Sequence, residues 1–234
     1  KFIVDYSFRN QDSYGLYDYA SWGSAGTKRE IDTHGLLTKY VHQAEAWGRR
    51  YNAVLGTDFY DVTSDIWGSG TGVMASTDDI TISKEEFGMY GYGEFEVLPK
   101  VFTGTGIRYQ RAQYDFDQRS GTPAYTSTDP SETVRKGILR YEYAERSNLY
   151  LSAEETFRFL STDESYSTWT GLDTTLKHQT GIQYELGWKH DFNRKVQLSL
   201  VPYWIENENE IYVDPTVSPG YNKNYDETRR RGVE

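Results

Sequence analysis

TGIQYELGWKHDF, residues 180–192, is followed by NRK and then by VQLSLVPYWIENENEIYVD, which ends at residue 214. In the first run Ile182, Tyr184, Leu186, Trp188, His190 and Phe192 alternate with Gln183, Glu185, Gly187, Lys189 and Asp191. A period of two kept this long predicts a β-strand with one apolar face and one wet face. Only residues 193–195 intervene before a second run, with Val196, Leu198, Leu200 and Trp204 on one face. The pair therefore reads as an antiparallel hairpin with a very short turn. Both strands exceed the ~5–6 residues usual in a soluble sheet. Long strands with aromatics on the apolar face suit a wall between lipid and water.

Composition bounds what such a wall can be. The chain has 234 residues, enough for one large β domain or two ordinary ones. With 37% hydrophobic residues and a mean hydropathy of −0.75, it holds no run of ~18 apolar residues and no helical membrane span. A transmembrane barrel escapes that test, because only every second residue of a strand meets lipid. Aromatic content is high, with 21 Tyr, 10 Phe and 6 Trp, although Tyr-rich soluble β-sandwiches and sugar-binding modules share that trait. A net charge of −10 argues against nucleic acid as a partner. The absence of cysteine excludes a disulfide framework and Cys-based metal sites.

Along the chain, Phe2, Val4, Tyr6 and Phe8 open a first strand, and residues 20–28 read as a loop. A second strand over 29–45 has weak alternation and an unassigned facing. After a tight turn at 47–50, a third strand covers 51–67, and residues 68–79 form a Gly/Ser/Thr/Asp loop. Residues 86–98 alternate clearly, with Phe87, Met89, Phe95 and Val97 opposite Glu86, Tyr90, Tyr92, Glu94 and Glu96. The chain turns again at 98–100 into a strand through Val101, Ile107 and Tyr109, then a loop over 115–132. Strands over 134–145 and 149–160 turn at 146–148, with Glu155 a misfit on an apolar face shared by Leu149, Leu151 and Phe157. A loop over 163–177 leads into the hairpin, and a last strand starts at Asn222.

About ten strands result, and tight turns alternate strictly with long polar loops. That asymmetry belongs to outer-membrane barrels, with short periplasmic turns and long extracellular loops. A soluble sandwich meets the same solvent at both ends and has no reason to keep it. The face opposite the apolar one is rich in Glu, Arg, Lys and Gln, which a dry core would not tolerate but a wet lumen can. The fold expected is thus all-β, an antiparallel up-and-down transmembrane β-barrel segment. Both ends fall within strand-like sequence, so residues 1–234 are expected to be part of one barrel domain, truncated at both ends.

Particular motifs carry a resemblance. Tyr184-Glu185-Leu186-Gly187, Asn209-Glu210-Ile211-Tyr212 with Asp214-Pro215, Gly220-Tyr221-Asn222, Asn224 and the stretch TRRRGVE at 228–234 resemble the barrel of TonB-dependent outer-membrane receptors. Ile82-Ser83-Lys84, Phe87-Gly88-Met89-Tyr90 and Gly106-Ile107-Arg108-Tyr109 are similar to that family's mid-barrel strands. Each motif is short; their order and spacing make the match specific. The resemblance implies a bacterial outer-membrane receptor for a scarce ligand, a ferric siderophore or cobalamin, contacting outer-membrane lipid. It also implies coupling to the TonB complex through parts this chain lacks, since no plug domain or TonB box is found in it. A passive porin-like channel and a soluble acidic carbohydrate-binding β-protein are the alternatives.

No enzyme is expected. The carboxylates at 154–155 and at 206, 208 and 210 have the spacing of a solvated strand face. His34, His42, His178 and His190 show no metal-binding spacing, and no phosphate loop or nucleophile elbow occurs. No cofactor is expected. Ligand binding is expected from loop and upper-lumen aromatics that combine a flat ring with a polar tip: Tyr114, Phe116, Tyr125, Tyr166, Trp169, Tyr221 and Tyr225. Arg108, Arg140 and Arg158 face the lumen and suit an anionic chelate, or else pair with lumen acids such as Glu94, Glu142 and Glu154.

Overall fold

The computed structural model describes residues 1–18, 23–70, 79–120, 124–162, 164–167, 171–193, 196–214, 216 and 221–234. They are strands β1 (Phe2–Asp18), β2 (Ser24–Ala46), β3 (Arg49–Gly70), β4 (Asp79–Leu98), β5 (Val101–Gln118), β6 (Ala124–Thr128) and β7 (Ser131–Ala144). Then come β8 (Ser147–Arg158), β9 (Tyr166–Ser167), β10 (Gly171–Leu172), β11 (Gln179–Asn193), β12 (Val196–Leu200), β13 (Pro202–Asp214) and β14 (Tyr221–Val233). One sheet runs β1-β2-β3-β4-β5-β7-β8-β11-β13-β14, every neighbour antiparallel and next in sequence along that path. β6 pairs with β5 above β7, and β12 pairs with β11 below β13. The two short strands β9 and β10 pair with each other.

Register carries the alternation across the whole sheet. Leu139, Leu151 and Leu186 stand opposite one another, as do Tyr141, Leu149, Trp188 and Leu200. The weakly patterned β2 takes its facing from its neighbours: Leu36 lies between Tyr6 and Phe59, and Tyr40 between Phe2 and Leu55. This face stays bare, with Leu151 55% and Leu186 54% exposed. No water-soluble sandwich leaves such a continuous apolar sheet face uncovered. From Ile182 to Phe192 the apolar positions of β11 span ~33 Å of strand, which at a tilt of ~40° rises ~25 Å, the height of the apolar band of a barrel wall.

The other face is polar and concave. Arg50 on β3 reaches Glu142 on β7 at 2.8 Å, although three strand spacings would separate them by ~14 Å on a flat sheet. Five tyrosines of this face each stand opposite a glycine of the next strand: Tyr60 and Gly35, Tyr90 and Gly56, Tyr92 and Gly106, Tyr150 and Gly187, Tyr203 and Gly232. A Cβ at Gly187 would meet the Tyr150 ring at 1.9 Å. Bare backbone at these positions lets the ring lie flat over the next strand, covering ladder that a side chain would otherwise shield.

Strand boundaries differ from the sequence reading at the polar ends. β2 starts at Ser24, β4 at Asp79, and β5 continues to Gln118 with β6 beside it, all within segments expected to be loop. In β2 small and polar residues hide the period of two there, whereas in β4 and β5 the apolar row changes sides, with Ile80, Ile82, Tyr114 and Phe116 buried on the concave face, and the backbone ladder continues without interruption. The turn at 193–195 lies partly outside the described residues. Near the other end, Pro202 brings no N–H to the ladder, and the neighbouring Val201 exchanges both backbone hydrogen bonds with Glu234 at 2.9 and 3.1 Å.

Candidate functional site

Ion pairs climb the polar face from the short-turn end. The guanidiniums of Arg50 and Arg140 lie 4.6 and 4.2 Å from the centre of the buried Phe102 ring. Arg50 binds Glu96 at 3.1 Å, and Arg140 binds Glu94 at 2.9 Å and also Glu142. Higher up, Arg108 donates to the buried Asp58 at 2.7 Å, and Gln110, which accepts from Arg108 at 3.0 Å, donates to Glu86 at 2.6 Å. Glu86 pairs with Lys84. Gly88 leaves the room that the Asp58 and Arg108 side chains fill.

Lys84 is where the ladder meets the connection between β8 and β11. Its ammonium donates to the Leu160 carbonyl at 2.7 Å, and the Tyr114 hydroxyl donates to the same oxygen at 2.6 Å. Phe159, Leu160 and Tyr166 sink into a cluster with Ile66, Ile80, Ile82, Tyr114 and Phe116 of β3, β4 and β5. From the opposite side, Asn222 of β14 donates to the Glu164 carbonyl at 2.8 Å, and Asn224 both donates to and accepts from the Lys177 backbone at 2.9 Å. The connection is thus bound to both flanks of the concave face. Between it and β5–β6 lies a cavity of about 310 Å³, lined by Tyr114, Phe116, Asp129, Leu160, Asp173 and His178 among others. His178 pairs with Glu132 at 2.6 Å.

The residues singled out from the sequence are distributed over several places. Tyr114 and Phe116, each 2% exposed, are core residues under the β8–β11 connection and also line the cavity, and Tyr166 belongs to the connection and is buried in the same cluster. Arg108, Arg140 and Arg158 lie on the polar face, each paired with acids: Arg108 with Asp58, Arg140 with Glu94 and Glu142, Arg158 with Glu164 at 2.9 Å. Glu154 pairs with Lys136 at 2.6 Å rather than with an arginine. Tyr125 donates to Asp115 at 2.7 Å, and Tyr225 stacks on Tyr212 at 3.8 Å; both are exposed and away from the cavity. Tyr221 has its backbone in β14, and Trp169 lies outside the described residues. Composition could not have found His178, Asp129 and Asp173 at the cavity, because nothing local distinguishes them from other loop polar residues. Among the described residues, no group of three or more His, Asp or Glu is placed to hold a metal ion.

At the long-loop end, charge pairs tie the strand tips together. Arg119 donates to Asp79 at 2.5 Å and to Asp117 at 3.0 Å, and holds the Asp79 carboxyl below its usual range. Lys223 reaches Asp214 at 2.7 Å while the Thr216 hydroxyl and amide donate to the same carboxylate, together lowering it to about 2. The misfit Glu155 also finds a cause. β7 and β8 stop pairing above Lys136 and Glu154, and the Glu155 carboxylate accepts at 2.9 Å from the Arg135 N–H left free by the split. A cleft of about 400 Å³ opens there, lined by Arg135, Glu155, Thr180 and Glu206 among others.

Residues 2–234 match the family model described as TonB dependent receptor-like, beta-barrel. The chain belongs to the TonB-dependent receptor β-barrel family. Its fold is similar to the unliganded ferric citrate transporter FecA, with a TM-score of 0.79 at 11% identity over 99% of this chain and 35% of that one. The ferric yersiniabactin uptake receptor FyuA from Yersinia pestis gives 0.76 at 12% identity, over 99% of this chain and 36% of that one. The ferric-catecholate import receptor Fiu from K12 E. coli gives 0.67 at 15% identity, over 97% of this chain and 40% of that one. The chain thus spans well under half the length of these receptors. No curated protein shows a match to it. Family and fold are those of receptors and transporters, the class the sequence motifs pointed to.

Proposed function

We propose that this chain is wall and roof of an outer-membrane receptor that imports a scarce chelated ligand, a ferric siderophore or cobalamin, with TonB as the energy source. The observation that carries the reading is the two-faced sheet. One face is bare and apolar, and the opposite concave face is lined by ion pairs and roofed at its long-loop end by the β8–β11 connection. In this reading the apolar face meets lipid, the short turns are periplasmic and the long-loop end is extracellular. The cavity beside Tyr114, Phe116 and His178 is the part of this chain nearest the ligand's path. Arg108, Arg140 and Arg158 set the field on the polar face through their acid pairs and do not bind the ligand alone. TonB coupling runs through parts of the protein outside this chain.

Family membership weighs against the soluble carbohydrate-binding alternative, and so does the exposed apolar face. The porin alternative differs in energetics. A strain deleted for the full-length receptor is grown under iron limitation with a panel of ferric siderophores, and cobalamin uptake is measured in parallel. Loss of growth or uptake on one ligand, restored by the gene only when TonB is present, supports the proposal. Restored uptake without TonB would establish a passive channel instead.

A further inference from the structure

The short turns are built from residues that suit the turn backbone poorly. Among the described non-glycine residues, a positive φ occurs at Trp47 (53°), Lys100 (68°) and Arg146 (58°), one at each of three short turns, and otherwise only at Asn209. The tight hairpin turn at Trp47-Gly48 has both central residues in this region, where Asn-Gly is the favoured choice because neither suffers from its side chain. A bulky residue held there against its backbone preference points to a use for its side chain.

Trp47 is 91% exposed and Leu98, beside Lys100, is 59% exposed, so apolar surface extends from the bare face down to the turn tips. Just above Trp47 on that face, His42 bridges the hydroxyls of Tyr40 and Tyr51 at 3.3 and 2.9 Å. Such amphipathic rings settle where hydrocarbon meets headgroups. Tyr51 pairs with Ala44, and Trp47 is three residues further on, ~10 Å along a strand or ~7 Å down a tilted wall. The headgroup layer is itself ~5–8 Å deep. An indole at that depth has its ring among glycerol and headgroups and its N–H free for a phosphate or carbonyl oxygen. Lys100 is exposed alongside, while Arg146 is engaged with Asp191 at 3.1 Å. Glu45 and Glu145 lie at the same rim, so net charge does not do the seating.

We propose that the short-turn rim is seated in the phospholipid headgroup layer, with Trp47 as its main anchor, Leu98 beside it and Lys100 contacting phosphate. The inference rests on the outer-membrane reading above and adds the depth at which the wall sits. The full-length receptor is reconstituted into phospholipid nanodiscs, as wild type and as Trp47→Phe, and the difference between their tryptophan emissions isolates Trp47. That difference should be quenched strongly by lipids brominated near the glycerol end, weakly by lipids brominated at the chain terminus, and little by aqueous iodide. Trp47→Asn, which suits the turn backbone, serves as a second variant should Phe perturb folding. It should fold at least as well and give the same difference spectrum. Strong iodide quenching with none from brominated lipid would overturn the inference, leaving the turn in water or against a soluble partner. Failure of the receptor to enter the bilayer at all would instead overturn the membrane reading.

Discussion

At the scale of single residues, the proposed membrane setting makes depth the controlling variable for the bare apolar face. Leu186 sits mid-row between Leu151 and its own neighbours, whereas Leu198 stands opposite His190 in the aromatic girdle with Trp188, Tyr143 and Phe192. Leu186→Arg should therefore cost ~2–4 kcal/mol in the intact barrel and Leu198→Arg only ~0–1 kcal/mol, measured by denaturant unfolding in lipid. Equal costs would mean that the bare face does not span a membrane core. A second prediction concerns Asp214, beyond that band. Its carboxyl is held at about 2 against an ordinary 3.8, first by Lys223 and then by Thr216. Because the folded value is the lower one, the stabilisation is complete above ~pH 4 and is lost as pH falls through about 2. Pepsin cleavage near residues 214–221 should rise relative to Asp214→Asn as pH drops from 4 to 2, and a constant ratio would contradict the assignment.

At the scale of elements, strands survive where their hydrogen bonds are completed, and side chains complete them where neighbours separate. Glu155 does so for Arg135. Glu155→Val should speed amide exchange at Arg135 by about five- to tenfold, the effect of one hydrogen bond worth ~1 kcal/mol, while Glu155→Gln keeps an acceptor and should change it little. The same residue shows what a sequence can and cannot disclose. Alternation revealed the strands β4, β5, β8 and β11 because one face of each is apolar and bare and the other polar. It could reveal neither the start of β2, where small and polar residues blur the two faces, nor the upper ends of β4 and β5, where the apolar row moves to the concave face, nor the reason for a carboxylate among apolar neighbours. That reason is a split between strands, which only pairing defines. The tyrosine excess was visible as a number, but that five of the rings each lie opposite a glycine required the register. Tyr114 and Phe116 stood out as aromatics near a loop, but only the fold of the β8–β11 connection shows them as its floor.

At the scale of the whole molecule, the sheet has two unlike rims, and its direction in the membrane decides which one a ligand meets. In the full-length receptor on intact cells, an epitope tag beside Trp169 should be labelled from outside. A tag beside Asn193 should stay silent until the outer membrane is permeabilised. Labelling in the reverse order would invert the wall and move the proposed ligand path to the short-turn rim. The roof adds a constraint on this scale, since Lys84 and Asn224 hold one connection from strands on opposite flanks.

The register also has a genetic meaning. Because a strand's side chains change face at every step, removing one codon from the middle of β4 or β11 turns the apolar row of the rest of that strand inward, while removing two restores the phase. Length variation in genes of this kind should therefore come in pairs within the wall and in any number within the connections above it. A deletion scan read by surface display would show that beat of two directly. Where the beat fails, as at the bulge between Glu96 and Leu98, it would mark the places at which the chain already absorbs an odd residue.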